Sequence, residues 1–281
     1  MTTVSLILST EEITRLQGRI QKLGLRELSL KSPHELLRIK HGDVQLVVYK
    51  TGSVVHNGSQ ASRELVHSIL IVDKMYDFVV GSDEAGKGEW QGPLVVEAVA
   101  LSPTEINALR ELGVKDSKII KKKRLLELAE KLLKLKFKRK LLLLRPKTYN
   151  EQYSEFKKEG KSMNDLLAWA HTRVIKNVLK DLTFERIKIV IDKFDVQKTD
   201  LRLKTIASPN IEILQKTGGE SEIPVAAASI LAKYVYEIEV NNLEKKYQLD
   251  LRNSSPTDIL PSILPHVAKI HFKNVKTALK Q

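Results

Sequence analysis

The residues best equipped for chemistry lie in Gly81-Ser82-Asp83-Glu84-Ala85-Gly86-Lys87-Gly88. Two adjacent carboxylates, Asp83 and Glu84, follow the apolar run Phe78-Val79-Val80 and lead into a Gly-Lys-Gly loop. Neighbouring acids repel one another and resist burial unless a cation neutralises them, and a divalent ion does this well. Gly86 and Gly88 let a backbone come close to a ligand, and their N–H groups can meet phosphate oxygens. Lys87 adds a point charge. Taken alone, the same residues also suit an exposed acidic-basic turn.

Two further places carry acids. Asp192 closes the apolar run 187–191 and is followed by Lys193-Phe194-Asp195. An acid at the end of a strand lies where α/β sheets place their sites, although a turn aspartate fits the same pattern. Asp195 is a candidate supporting group. The third place is Gly218-Gly219-Glu220-Ser221-Glu222-Ile223-Pro224, directly before the small-residue segment Val225-Ala226-Ala227-Ala228-Ser229. Glu220 or Glu222 would stand at the N-terminus of a helix, where the helix dipole favours a carboxylate with or without a catalytic role. Oxygen donors in a chain with no cysteine suit Mg²⁺ or Mn²⁺.

Strands and helices must deliver these acids. Apolar runs at 78–80, 94–101, 137–144, 187–191 and 211–214 predict strands. Leu141-Leu142-Leu143-Leu144 is all leucine and predicts a strand buried on both faces. Apolar spacing predicts helices at 164–182, 225–244 and 266–279, the last of these closing the chain. Three strands followed by alternating helix and strand predict an α/β domain with a mixed central sheet flanked by helices. Before it, residues 4–58 read as a small β-α-β-β-β-β unit of α+β class. Strands are expected at 4–8, 26–30, 35–40, 44–49 and 54–56, and a helix with Ile13, Leu16, Ile20 and Leu23 on one face. The expected domains are 1–60, a linker helix at 61–76, and 77–281.

Bulk properties narrow the classes. The absence of cysteine excludes disulfides and thiolate metal sites. No apolar run is long enough to span a bilayer, and the first ten residues lack the features of a signal peptide. A cytoplasmic protein without a membrane partner is expected, with a monomer as the simplest state. The net charge of +13 favours polyanionic partners, nucleic acid first among them. Lysine and arginine are densest over 115–147.

In combination these blocks resemble the prokaryotic ribonuclease HII/HIII family. Asp83-Glu84-Ala85-Gly86-Lys87-Gly88 with Gly92-Pro93, Asp116-Ser117-Lys118, the strand-closing Asp192, and Glu220 ahead of the Ala-Ala-Ser-Ile helix carry the likeness, in that order. The HIII branch is the more similar. Its fourth acid is a glutamate, and Tyr149-Asn150, Met163-Asn164-Asp165-Leu166-Leu167-Ala168-Trp169 and His266-Val267-Ala268-Lys269-Ile270-His271-Phe272 resemble its blocks. The Gly-Tyr-Gly motif of the HII branch is missing, and residues 253–265 match no block.

The resemblance implies a ribonuclease H-like fold preceded by a substrate-binding domain similar to half of a TATA-binding protein. It implies a metal-dependent endonuclease that hydrolyses the RNA strand of RNA–DNA hybrids, leaving 3′-hydroxyl and 5′-phosphate ends. Asp83, Glu84, Asp192 and Glu220 would be both catalytic residues and ligands of two ions, with Asp83 between them. Gly86, Lys87, Gly88 and Lys118 would bind nucleic acid, the loop reading the ribose 2′-hydroxyl. Alternatives are HII-like cleavage at single ribonucleotides embedded in DNA, another polynucleotidyl transferase, and a non-catalytic nucleic-acid binder. His171 and His271 are expected to be packing or surface groups, and Trp169, Tyr234 and Tyr236 core groups.

Overall fold

A computed structural model describes residues 4–8, 10–20, 24–70, 76–114, 120–192 and 196–280. The chain forms two compact units, residues 1–77 with 102–114 and residues 78–101 with 115–281.

In the first unit, apolar residues alternate along β3 (Glu35–His41), β4 (Val44–Tyr49) and β5 (Ser53–His56). Leu37, Ile39, Leu46, Val48 and Val54 therefore fall on one buried face. With β1 (Val4–Ile7) and β2 (Arg26–Glu27) they make an antiparallel sheet in the order β1-β5-β4-β3-β2. The strand expected at 26–30 keeps only two paired residues, because β2 is an edge strand paired only with β3. Helix α1 (Thr10–Arg19) contributes Leu16 to the core. The expected linker segment starts as helix α2 (Gln60–Leu70), which buries Leu65 and Val66 in that same core. Helix α3 (Pro103–Glu111) also belongs to this unit.

In the second unit, β6 (Phe78–Ala85), β7 (Leu94–Leu101), β8 (Lys138–Leu144), β9 (Ile187–Asp192) and β10 (Ile211–Lys216) form a mixed sheet in the order β10-β9-β6-β7-β8. β6, β9 and β10 are parallel, whereas β7 and β8 run antiparallel to their neighbours. Every residue of β7 is buried. The remaining helices are α4 (Lys122–Leu133), α5 (Pro146–Lys158), α6 (Met163–Leu179), α7 (Val196–Leu203), α8 (Ile223–Tyr247), α9 (Leu264–Val267) and α10 (Lys273–Ala278). Helices α6 and α8 cover opposite faces of the sheet. Strand alternation proves it, since Ser82 and Glu84 meet His171 of α6 while Asp83 between them meets Ser229 of α8.

Small residues bring α8 close. Val225 to Ala232 are all buried, and a Cβ on Gly81 would lie 2.2 Å from the Val225 nitrogen. A side chain at position 81 would push the helix off the strand.

Two expectations are corrected. Leu141 is 43% exposed and only Leu144 of the leucine run is buried, because β8 is the edge of the sheet and not an inner strand. The expected final helix is broken into α9 and α10. Ala268 is extended and bridges to Gln91, and the Lys269 N–H donates to the Trp90 carbonyl at 2.7 Å. These bonds to another segment replace helical ones.

Candidate active site

Strand register brings the acids together. Ser82 pairs with Ile191 across the parallel β6–β9 junction, so Asp83 and Asp192 each stand one residue further, at the carboxyl ends of adjacent strands. Glu84 follows on the opposite face.

Glu84 is held by two cationic or donor groups. His171 Nε2 lies 3.0 Å from its Oε2, and Lys87 Nζ lies 3.2 Å from its Oε1. Burial acts to raise its pKa, but His171 and Lys87 prevail and hold it down to about 2. An ionised carboxylate only accepts, so His171 donates through Nε2. Asp83 is the opposite case. Burial first, and the Glu84 charge second, push it up to about 7, against hydrogen bonds from Ser229 and the Glu84 backbone. Buried neighbouring acids driven apart in this way are a mark of functional sites.

Asp192 accepts the Gly219 N–H at 3.0 Å. A Cβ on Gly219 would lie 3.0 Å from the Asp192 Cα, so the short 3-10 turn Gly219–Ser221 rests directly on this aspartate. The backbone of Glu220 therefore stands next to Asp192; its side chain lies outside the described residues. Glu222, its competitor, is paired with Lys216 at 2.9 Å. Among the described side chains no group of three His, Asp or Glu stands close enough to form a finished metal cage. The donor set, carboxylates alone with one of them resisting ionisation, still fits a hard divalent cation.

One neighbour escaped the sequence reading. Glu97 sits directly across from Asp83 in β7, fully buried, with Oε1 accepting from Arg139 Nη1 at 2.9 Å. Burial pushes it up to about 7. Its signal was present, a single acid inside an otherwise apolar strand. His171, expected to be a packing or surface group and not a metal ligand, is buried and hydrogen-bonded to Glu84 and to Ser82.

The Gly-Lys-Gly loop has two distinct glycines. Gly86 has φ +83°, and a Cβ there would lie 2.1 Å from the Pro93 carbonyl oxygen. Gly88 faces open space. The loop's far end is clamped by Lys269, which is fully buried and places its ammonium 2.8, 2.9 and 2.8 Å from the carbonyls of Glu89, Gln91 and Gly92. Burial lowers this lysine to about 7, while three carbonyl acceptors match the three N–H donors of its charged form. Tyr236 adds a bond to the Gln91 carbonyl at 3.3 Å. Lys118, with Asp116 and Ser117, and Asp195 lie outside the described residues.

A mixed sheet with helices on both faces and acids at the carboxyl ends of neighbouring parallel strands is the architecture of a ribonuclease H-like fold. The sequence match is direct: the family model for Ribonuclease HII matches residues 80–275. The chain belongs to the ribonuclease HII/HIII family and is a metal-dependent endoribonuclease of the ribonuclease H type. It is similar to Ribonuclease HIII of Chlamydia trachomatis, 29% identical over 97% of this chain and 96% of the relative. It is also similar to Ribonuclease HIII of Bacillus anthracis, 30% identical over 90% and 91%. Its fold matches the crystal structure of Bst-RNase HIII in complex with Mn²⁺, with a TM-score of 0.64, 23% identity, and coverage of 99% of this chain and 98% of that one. Among the described residues no helix is long and apolar enough to cross a membrane.

Proposed function

We propose that the protein hydrolyses the RNA strand of RNA–DNA hybrids, as an HIII-type enzyme, leaving 3′-hydroxyl and 5′-phosphate ends. The observation that carries this reading is the placement of Asp83 and Asp192 at adjacent strand ends, with Glu84 following Asp83 and the turn bearing Glu220 resting on Asp192. These four residues would hold two Mg²⁺ or Mn²⁺ ions. Bound there, the ions supply an activated water and a stabilised leaving oxygen.

The chain's own residues do the rest. His171 and Lys87 keep Glu84 ionised and oriented. Gly219 fixes one oxygen of Asp192 and leaves the other available. The backbone of Gly86, Lys87 and Gly88 reads the ribose 2′-hydroxyl, which alone separates RNA from DNA at a given sugar. Lys118 contributes a phosphate contact. The first unit serves as a substrate-binding module that raises the local concentration of hybrid.

The test is cleavage of three labelled duplexes in Mg²⁺ and in Mn²⁺: a full hybrid, DNA holding one ribonucleotide, and plain DNA. Efficient cutting of the hybrid, abolished by Asp83→Asn with hybrid binding retained, is the expected result. Preference for the single ribonucleotide would move the enzyme to the HII type. Undiminished turnover in Asp83→Asn would remove the assignment of the site.

A further inference from the structure

Helix α6 carries His171 on the side that meets Glu84. About 200° around the same helix, two residues away in either direction, lie Trp169 and Arg173. Trp169, Arg173, Lys176 and Lys180 recur at spacings of four, three and four, which makes a single stripe. Together with Arg202 of α7 and Thr205 beyond its end, this stripe lines a hollow of about 400 Å³ in the second unit. The hollow and the acids thus lie on opposite sides of α6.

Four cations line this hollow, and among the described side chains none of them is paired with a carboxylate. Two described acids close to the stripe in sequence are engaged elsewhere, Asp165 with Lys198 at 2.6 Å and Asp181 with Lys140 at 2.7 Å. The two arginines are held in place by rings. The Arg173 guanidinium lies over Trp169, 5.3 Å from the ring centroid, and Arg202 lies over Phe156 at 5.9 Å. A ring takes one face of a guanidinium and leaves its edge of N–H donors free, the edge that binds phosphate oxygens in pairs. Like charges gathered around a concave surface repel each other, and an anion relieves that repulsion. A half-buried tryptophan beside them matches the pairing of cations and aromatics that holds nucleic-acid strands.

We propose that this hollow is a second, non-catalytic nucleic-acid site that grips the backbone phosphates of a strand. It rests on the reading of the protein as a nucleic-acid enzyme, and it makes α6 a partition between the cleaving site and a holding site. The occupant is a run of phosphodiesters, since a single small anion would meet only part of a stripe three helical turns long.

The chain has two tryptophans, so Trp90→Phe leaves Trp169 as the sole reporter inside the hollow. The probe is a plain DNA duplex in EDTA, which separates binding from cleavage. A saturable change in Trp169 emission that weakens with salt is expected. In the full-length protein, Arg173→Ala with Arg202→Ala should weaken duplex binding by about tenfold and lower the slope of log K against log salt by about two, while kcat on saturating hybrid stays unchanged. Lys176→Ala with Lys180→Ala removes two charges without touching the arginine–ring contacts and should act in the same direction. Unchanged affinity and slope in both double variants would overturn the proposal, as would a Trp169 response to inorganic triphosphate and none to the duplex. Wild-type cleavage of hybrid is scored separately, so a failed holding site and a failed catalytic assignment give different results.

Discussion

His171 Nε2 stands 3.0 Å from Glu84 Oε2 while its Nδ1 stands 2.8 Å from Ser82 Oγ, so one buried ring spans α6 and β6 and fixes a carboxylate of the site. The Ser82 hydroxyl in turn donates to the Glu97 carbonyl at 2.9 Å, which ties the chain of bonds to β7. Removing a group that orients a metal-binding carboxylate typically lowers activity or metal affinity about 10–100-fold. With Glu84 a metal ligand as proposed, His171→Ala should need more Mg²⁺ for half-maximal cleavage and show a lower kcat, with the KM for hybrid little changed. His171→Asn keeps a donor and should recover part of the loss. A metal titration of both variants decides it, and an unshifted metal requirement would reduce His171 to packing.

In the metal-free protein, Asp83 and Glu97 should contribute stability that is lost as pH rises from about 4 to about 7. Asp83 and Glu97 both have pKa values raised by burial to about 7. At these two carboxyls the folded state binds more protons than the unfolded state between the ordinary carboxylate range and pH 7, so their contribution to ΔG of unfolding falls across that window, while His271, lowered by burial to about 4, contributes in the opposite direction. Thermal midpoints in EDTA at successive pH values test this. Glu97→Gln should flatten the fall, because it removes one of the two titrating groups. Added Mg²⁺ or Mn²⁺ should raise the midpoint most above pH 7, where the carboxylates are charged.

Lys269→Met should damage both fold and function. It takes the ammonium away from the carbonyls of Glu89, Gln91 and Gly92, of which Gln91 keeps the Tyr236 hydroxyl, and each buried polar group left unsatisfied costs about 1–3 kcal/mol. The loop from Glu89 to Gly92 continues directly from Gly86-Lys87-Gly88, so its loosening should raise the KM for hybrid more than it lowers kcat. Lys269→Arg, with its larger planar head, should not restore the fit. Steady-state kinetics alongside denaturant unfolding separates the two effects.

Gly86 and Gly88 should respond differently to alanine. At Gly86 the left-handed backbone and the 2.1 Å approach to the Pro93 carbonyl make Gly86→Ala destabilising by about 2 kcal/mol or more. A Cβ at Gly88 would meet no described atom beyond its chain neighbours within 4 Å, so Gly88→Ala should fold normally. If a strand of substrate approaches this backbone, Gly88→Ala should still raise KM and weaken the preference for RNA. Equal KM values for wild type and Gly88→Ala would place the substrate elsewhere.

Much of the molecule was legible in its sequence because the signals are local. Apolar runs ending in Asp83-Glu84 and in Asp192 announce strands that finish in acids, and the Ala-rich run after Pro224 announces a helix that must come close to a sheet. The alternating residues of 35–56 announce a half-buried antiparallel unit. The misreadings came where the local pattern is silent about neighbours. Four leucines at 141–144 read as an inner strand, yet nothing in them says that no strand pairs beyond β8. Apolar spacing at 266–279 suits one helix, and only the bonds between Trp90, Gln91 and the segment around Ala268 break it.

The sequence by itself determined which residue types meet a cation or a phosphate and which elements end in them, since periodicity and chain order encode both. The tertiary structure decided which of them meet. Parallel pairing of β6 and β9 set Asp83 beside Asp192, and the 3-10 turn packed on Asp192 brought the backbone of Glu220 there from far along the chain. It also drew His171, Glu97 and Lys269 into the site from separate segments. Their roles depend on burial and on partners distant in sequence, and the charge state of a buried group is set by what surrounds it in space.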